Sequence, residues 1–345
     1  MTMPVVRVSG GPRERGRALG ETLADPINRS IAFLRRFLER RGIGVGDLPA
    51  LLASSRQALA RWRPSLLAEI DGTAEGAGVA GWELFAANAF EELEAVLPVS
   101  ARIERCTAFA VTDPEGTILA HNEQWYAADV GNSAVVVAEP DLGPAFAAPT
   151  VAPFLPAVGM NAHGLAQGVM SLTHRDDGEG IPRVPVSRYA LQARTFEDHH
   201  ARVTPPGRSG GYAYVVAAAG GEAHTVETTA TAIAPLVNEA AHTNHYLAPP
   251  LAEAGSSSTG SESRLDRLRA LLAEWDPRTP EQAMAILADH QGQPEPICVH
   301  PDPADEESAA IVFAMVCQIE QRRMWVSAGN PCEVPFEEIV LGVAA

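Results

Sequence analysis

Apolar residues at Leu19, Leu23, Ile27, Ile31, Leu34 and Leu38 recur every three or four positions, the period of an amphipathic helix. They predict one long helix from Arg13 to about Arg41, which Pro26 kinks or splits. The same period predicts helices from about Val45 to Ile70 and from Gly81 to Glu94, so the first hundred residues read as helical. At Cys106 the texture changes to short strands between turns. Thr107–Val111 and Thr117–His121 flank Asp113-Pro-Glu-Gly116, with Pro and Gly where a tight turn takes them.

Further strands are predicted at Ala134–Ala138, at Ala157–Met160 with Leu165–Ser171 across the turn Asn161-Ala-His-Gly164, and at Tyr212–Ala218 with Glu222–Thr228 across Gly220-Gly221. Helices are predicted at Pro185–His199 and at Ser261–Trp275 continuing into Pro280–His290, and a last hairpin pairs Ala309–Gln318 with Arg323–Ser327. Hairpins and helices in separate runs imply an α+β fold, a largely antiparallel sheet with helices on its faces. The stretch Gly255–Ser261 reads as a loop leading to an N-cap at Ser261 or Ser263.

Composition narrows the function. With 46% hydrophobic residues in 345, the chain can bury a large core. A net charge of −17 has the wrong sign for neutralising phosphate backbones, which argues against nucleic acid as a partner. No lysine occurs anywhere, so chemistry based on a lysine Schiff base or a phosphate-binding lysine is excluded. The longest apolar run, Ala309–Cys317, falls well short of the roughly 20 residues that span a bilayer. With no signal-peptide pattern at the N-terminus, a soluble cytoplasmic protein with reduced thiols is expected.

Of the four cysteines, Cys298, Cys317 and Cys332 read as small buried hydrophobes. There is no CxxC pair and no His at the usual zinc-site spacings, so neither metal nor cofactor is expected. Cys106 differs, because it stands after the polar run Arg102-Ile-Glu-Arg105 and opens the first strand. Were the Arg105–Cys106 bond cut, the new α-amine, with a pKa of about 7.7, would lie beside the thiol and could take its proton. One residue would then supply both nucleophile and base.

The segment from Cys106-Thr-Ala-Phe-Ala to His121-Asn-Glu-Gln-Trp125 resembles the nucleophile hairpin of the acyl-CoA:6-aminopenicillanic acid acyltransferase (isopenicillin N acyltransferase) family. Other blocks follow in order over nearly the whole chain. They are Gly10-Gly-Pro-Arg-Glu-Arg-Gly16 with Gly20, Glu69-Ile-Asp-Gly-Thr-Ala-Glu-Gly76, Asn88 with Glu92, and Asn161-Ala-His-Gly-Leu165. Ala241-His-Thr-Asn-His245, Ser263-Arg-Leu-Asp-Arg-Leu268, and Asp289-His290 through Ile297-Cys-Val-His-Pro-Asp302 complete the series.

The resemblance implies a four-layer αββα N-terminal-nucleophile hydrolase fold, made as a precursor that cuts itself between Arg105 and Cys106. Residues 1–105 would stay associated with the catalytic segment 106–345 as a heterodimer of two fragments. It also makes Cys106 the nucleophile and Asn244 the oxyanion donor. His242, His245 and Glu92 read as structural. Gln124 stands where the family carries an aspartate that orients the α-amine, and Glu123 is the acid that could substitute. The family's arginine before its last hairpin has no counterpart at Glu306-Glu307. Trp125 and Tyr126 are candidates for lining an acyl pocket. The implied reaction takes a small acyl amide or thioester, forms an acyl-thioester on Cys106 and passes the acyl group to water or an amine. A non-catalytic scaffold that kept the fold after the change to Gln124 is the alternative.

Overall fold

The computed structural model describes residues 2–97, 106–113, 116–237 and 239–342. Arg105, and Pro114 and Glu115 of the expected turn, lie outside the described residues. The helices are α1 (Pro12–Thr22), α2 (Ala24–Glu39), α3 (Leu48–Trp62), α4 (Pro64–Ala77), α5 (Gly81–Ala87), α6 (Phe90–Val96), α7 (Arg183–Ala190), α8 (Phe196–Val203), α9 (Pro249–Ala252), α10 (Thr259–Trp275) and α11 (Pro280–Leu287). The strands are β1 (Val5–Gly10), β2 (Thr107–Asp113), β3 (Gly116–Tyr126), β4 (Ser133–Pro140), β5 (Phe146–Val151), β6 (Gly159–Asn161) and β7 (Leu165–Ser171). They continue with β8 (Tyr212–Ala218), β9 (Glu222–Thr228), β10 (Ile233–Leu236), β11 (Ala241–His242), β12 (Ala309–Gln318), β13 (Arg323–Ser327) and β14 (Glu337–Val340).

Two sheets form, in the orders β1-β4-β5-β6-β7-β8-β9-β10 and β11-β2-β3-β12-β13-β14. All pairings are antiparallel except β1 with β4. The sheets stack face to face where β2 and β3 meet β7 and β8. They come close at Gly168, where a Cβ would stand 2.8 Å from Ala108 Cβ and 3.2 Å from His121 Nδ1. Adjacent residues of a strand face opposite ways, so Gln167 points outward, bonding Ser187 O of α7 at 2.9 Å and His199 of α8 at 2.9 Å. On the other outer face, Phe109, Ile118, Ala120, Ala314 and Val316 pack under Leu265, Leu268 and Leu271 of α10 and Ile286 and Leu287 of α11. The layers are therefore α, β, β and α, the expected architecture.

The two glycine-rich blocks of the N-terminal region have one explanation. A Cβ at Gly16 would lie 2.1 Å from Glu69 O, at Gly20 2.2 Å from Thr73 O, at Gly72 2.3 Å from Arg13 O, and at Gly76 2.2 Å from Arg17 O. Helices α1 and α4 thus cross backbone to backbone, and only glycine allows it. The paired Arg15, Glu69 and Arg188 are buried beside this crossing, with Arg15 Nη2 2.7 Å and Arg188 Nη2 3.6 Å from the carboxylate.

Several expected long helices are broken. The first breaks at Leu23, before Pro26, which sits harmlessly in the first turn of α2. The second breaks at Arg63, whose non-helical ψ of 78° is what the following proline demands. The third breaks after Asn88, whose side chain bonds Leu84 O, Pro153 O and Leu155 N at 2.7–3.1 Å. The predicted helix Pro185–His199 is α7 and α8, the latter capped by Thr195. Ser258, not Ser261 or Ser263, caps α10, and Asp276 at φ 43° ends it before α11 begins. Strands β1, β5, β10 and β14 were not expected; in β5, Pro149 reads against a strand. Among the described residues no helix is long and apolar enough to cross a membrane.

Candidate active site

Cys106 stands at the head of β2, between β11 and β3 in the second sheet, with Thr107 paired to Asn122 of β3. Its Sγ lies 3.6 Å from Glu123 Oε1 and 3.9 Å from Gln124 O. Glu123 is held in turn by His121, Nε2 to Oε2 2.9 Å. Burial first, and then the Glu123 carboxylate, push the Cys106 thiol well above its ordinary value. The thiol is therefore held in its protonated form, with the Glu123 carboxylate beside it.

A buried guanidinium organises the other side. Arg264 of α10 donates from Nη1 to Cys106 O (2.8 Å) and to Thr107 Oγ1 (3.0 Å), and from Nη2 to Asn244 Oδ1 (3.1 Å). Asn244 Nδ2 carries two N–H groups and gives one to Ser171 O at 3.0 Å, while its backbone N–H bonds Ser261 Oγ at 2.8 Å. One guanidinium thus ties the expected nucleophile to the expected oxyanion donor. Arg264 lies within the Ser263–Leu268 block, yet sequence reasoning attached no chemistry to it. The available signal was a single arginine on the buried face of an amphipathic helix.

Beside Cys106 opens a small cleft. Its apolar wall comes from Phe90, Trp125, Phe154, Leu155, Val169 and Phe313. Its polar lining falls in two groups. Cys106, Glu123 and Gln124 form one, and Glu91, Ser171 and Tyr212 the other, with Glu91 hydrogen-bonded to both Ser171 Oγ and Tyr212 OH. Burial raises the Glu91 carboxyl above its ordinary value, opposed by Arg183. The side-chain amide of Gln124 has no hydrogen-bond partner among the described residues although it is buried.

Trp125 lines the cleft as expected. Tyr126 does not: alternation along β3 turns it the other way, among Phe33, Phe37 and Phe90, with its OH on Glu94. His242 is structural, bonded to Glu227 at 2.8 Å and to Thr243 O at 2.6 Å, and Glu92 accepts from Ser209 Oγ at 2.7 Å. The acids Glu306 and Glu307 grip Arg36 of α2 and Arg40 and Arg41 just after it at 2.7–3.2 Å. Cys298 and Cys317 are buried as expected, but Cys332 is exposed, because it lies in the turn after β13.

A search of curated proteins gave no match. Among solved structures, a mutant of the conjugated bile acid hydrolase from Clostridium perfringens aligns at 11% identity over 69% of this chain and 98% of that one, with a TM-score of 0.48. Penicillin V acylase from Agrobacterium tumefaciens aligns at 15% identity over 65% and 83%, with a TM-score of 0.39. The model of the family described as acyl-coenzyme A:6-aminopenicillanic acid acyl-transferase matches residues 111–333. That match spans well over half the chain, so this αββα fold, with its cysteine-headed strand, belongs to the acyl-coenzyme A:6-aminopenicillanic acid acyl-transferase family of enzymes.

Proposed function

We propose that the protein is a self-processing cysteine amidohydrolase or acyltransferase acting through an acyl-thioester on Cys106. The observation that carries the reading is the thiol itself, 3.6 Å from Glu123 and lining a largely apolar cleft. In the maturation step, Sγ attacks the carbonyl carbon of Arg105 while its proton passes to Glu123. The Cys106 nitrogen leaves with a proton as an amine, and water releases residues 1–105 from the resulting thioester. In turnover, the freed α-amine takes the thiol proton and Sγ attacks the substrate carbonyl. Asn244 Nδ2 donates to the developing oxyanion, and the proton returns to the departing amine or thiol. Water or an amine acceptor then receives the acyl group.

The cleft favours an apolar acyl group, since its walls are aromatic and aliphatic. Gln124 is the group proposed to orient the new α-amine, because its buried amide is still unpartnered. The protein is proposed to act on small molecules, independent of nucleic acid and membrane. Intact-mass measurement tests the maturation: the expected result is two chains, the second beginning at Cys106, and a single chain for Cys106→Ala. A panel of N-acyl amino acids, acyl-CoA thioesters, β-alanyl amides and β-lactams tests turnover, with an acyl adduct on Cys106 expected from at least one. A single uncut chain that gains no adduct would leave the scaffold reading in its place.

A further inference from the structure

Away from the cleft, the fold brings four potential metal ligands together from three separate segments. His290 follows α11, Cys298 and His300 lie on the following loop, and Cys332 follows β13. One ligand atom from each lies within 4.8 Å of all the others. The separations are 3.6 Å between Cys298 Sγ and Cys332 Sγ, 3.3 Å between Cys332 Sγ and His300 Nε2, and 3.1 Å between His290 Nε2 and His300 Nε2. A tetrahedron with Zn–S of about 2.3 Å and Zn–N of about 2.05 Å has edges of about 3.8 Å between sulfurs, 3.6 Å from sulfur to nitrogen and 3.3 Å between nitrogens. The observed edges follow that order, each slightly short of its ideal. The sulfur separation is also far beyond the roughly 2.05 Å of a disulfide.

The surroundings support the same occupant. Asn330 Nδ2 donates to Cys298 Sγ at 3.4 Å and to Val299 O at 2.7 Å, a bond that would steady a thiolate. His300 presents Nε2 to the cluster, while its Nδ1 lies on the far side of the ring, 3.6 Å from Glu333 Oε1. The rings of His290 and His300 stack, with centroids 5.2 Å apart. From these contacts we infer that His290, Cys298, His300 and Cys332 form a structural zinc site.

Two thiols and two imidazoles are the donor set that selects zinc among common divalent metals. Binding would release the two thiol protons to solvent, and two thiolates would neutralise the dication. With four protein ligands no position stays open for water or substrate, so the role is to staple the loop after α11 to the turn after β13. The staple bears on the active site through Asn122, whose Nδ2 holds Leu287 O at 2.9 Å and Ile297 O at 3.1 Å while its backbone pairs with Thr107. The spacing rule missed the cluster because only Cys298 and His300 are close in sequence.

The test uses the full chain, expressed without a polyhistidine tag and kept reduced. Elemental analysis after exhaustive dialysis is expected to find about one zinc per chain, as a four-ligand site requires. Removal by chelator should lower the thermal midpoint, and zinc alone should restore it. Cobalt in place of zinc should give the intense visible bands of a tetrahedral thiolate site. Cys332→Ser and His300→Ala should each lose at least about 90% of the retained zinc, since a missing ligand opens the shell. Cys106→Ser should keep it, which separates this site from the Cys106, His121 and Glu123 group. Three results would overturn the proposal: no zinc taken up by the reduced protein, zinc lost from Cys106→Ser but kept by Cys332→Ser, or a Cys298–Cys332 disulfide in the freshly isolated chain.

Discussion

Two neighbours in β3 divide the work at the nucleophile. Glu123 reaches the thiol with its side chain, and Gln124 reaches it with its backbone carbonyl, while the buried side-chain amide of Gln124 has no hydrogen-bond partner among the described residues. If that amide orients the α-amine after cleavage, Gln124→Asp adds a carboxylate that favours the ammonium form and raises the amine's pKa. The acidic limb of kcat/KM reports this ionisation, so it should move upward in pH while cleavage at Cys106 persists; a limb that stays in place would assign the role to Glu123. Asn244→Ala removes one oxyanion donor and should cost about 10²–10³ in kcat, the usual loss for such a group. Circular dichroism should show the fold retained, because Arg264 keeps its bonds to Cys106 O and Thr107. An unchanged kcat would remove Asn244 from the chemistry.

Among the elements, the α1–α4 crossing is the most sharply specified. An alanine methyl at Gly20 would lie 2.2 Å from Thr73 O, a contact with backbone that no rotamer change relieves. Gly20→Ala should therefore destabilise by about 3 kcal/mol, the upper end of ordinary overpacking, while Gly46→Ala, with open space around it, should change little. Urea midpoints compare the two directly. The glycine spacing was legible in the sequence as a pattern, but its cause was not, because the partner helix lies some fifty residues away. The same holds more widely. Hairpins joined by short turns, such as β8 with β9, read correctly because pattern and turn are local. Strand β1 did not, since what makes Val5–Gly10 a strand is its distant partner β4. Cys106, Glu123 and Gln124 were legible as one hairpin; Arg264 and the four proposed zinc ligands were not, because only tertiary folding brings their segments together.

For the molecule as a whole, the N-terminal segment is woven into the rest rather than laid on it. It supplies an edge strand, the aromatic packing of Phe33 and Phe37 on Tyr126, and the arginines that hold Glu306 and Glu307, which is why the two fragments of a processed chain should stay together. Stability of this assembly should carry a pH dependence that one buried residue makes measurable. His199 is the buried residue of α8 that faces the first sheet. Its Nε2–H donates to Gln167 Oε1 at 2.9 Å, an amide whose orientation is set by Nε2 bonds to Ala157 O and Ser187 O, and its buried Nδ1 has no partner among the described residues. Burial above all, with His200 and His224 nearby, pushes it down to about 3. In the unfolded chain the same group titrates at about 6.5, so between those values the unfolded state binds a proton that the folded state refuses, and stability falls as pH falls. The slope is about 1.4 kcal/mol per pH unit for that proton once pH is below about 6. Other groups contribute with both signs, His224 in the same direction and the raised Glu91 carboxyl in the opposite one, so the informative quantity is a difference between two chains. His199→Gln should be less stable than the parent at pH 8, and the gap should close as pH is lowered to 5, because the variant has no such proton to lose. Denaturant unfolding at pH 8, 6 and 5 measures it; a gap that stays constant would mean that His199 titrates alike in the folded and unfolded chain.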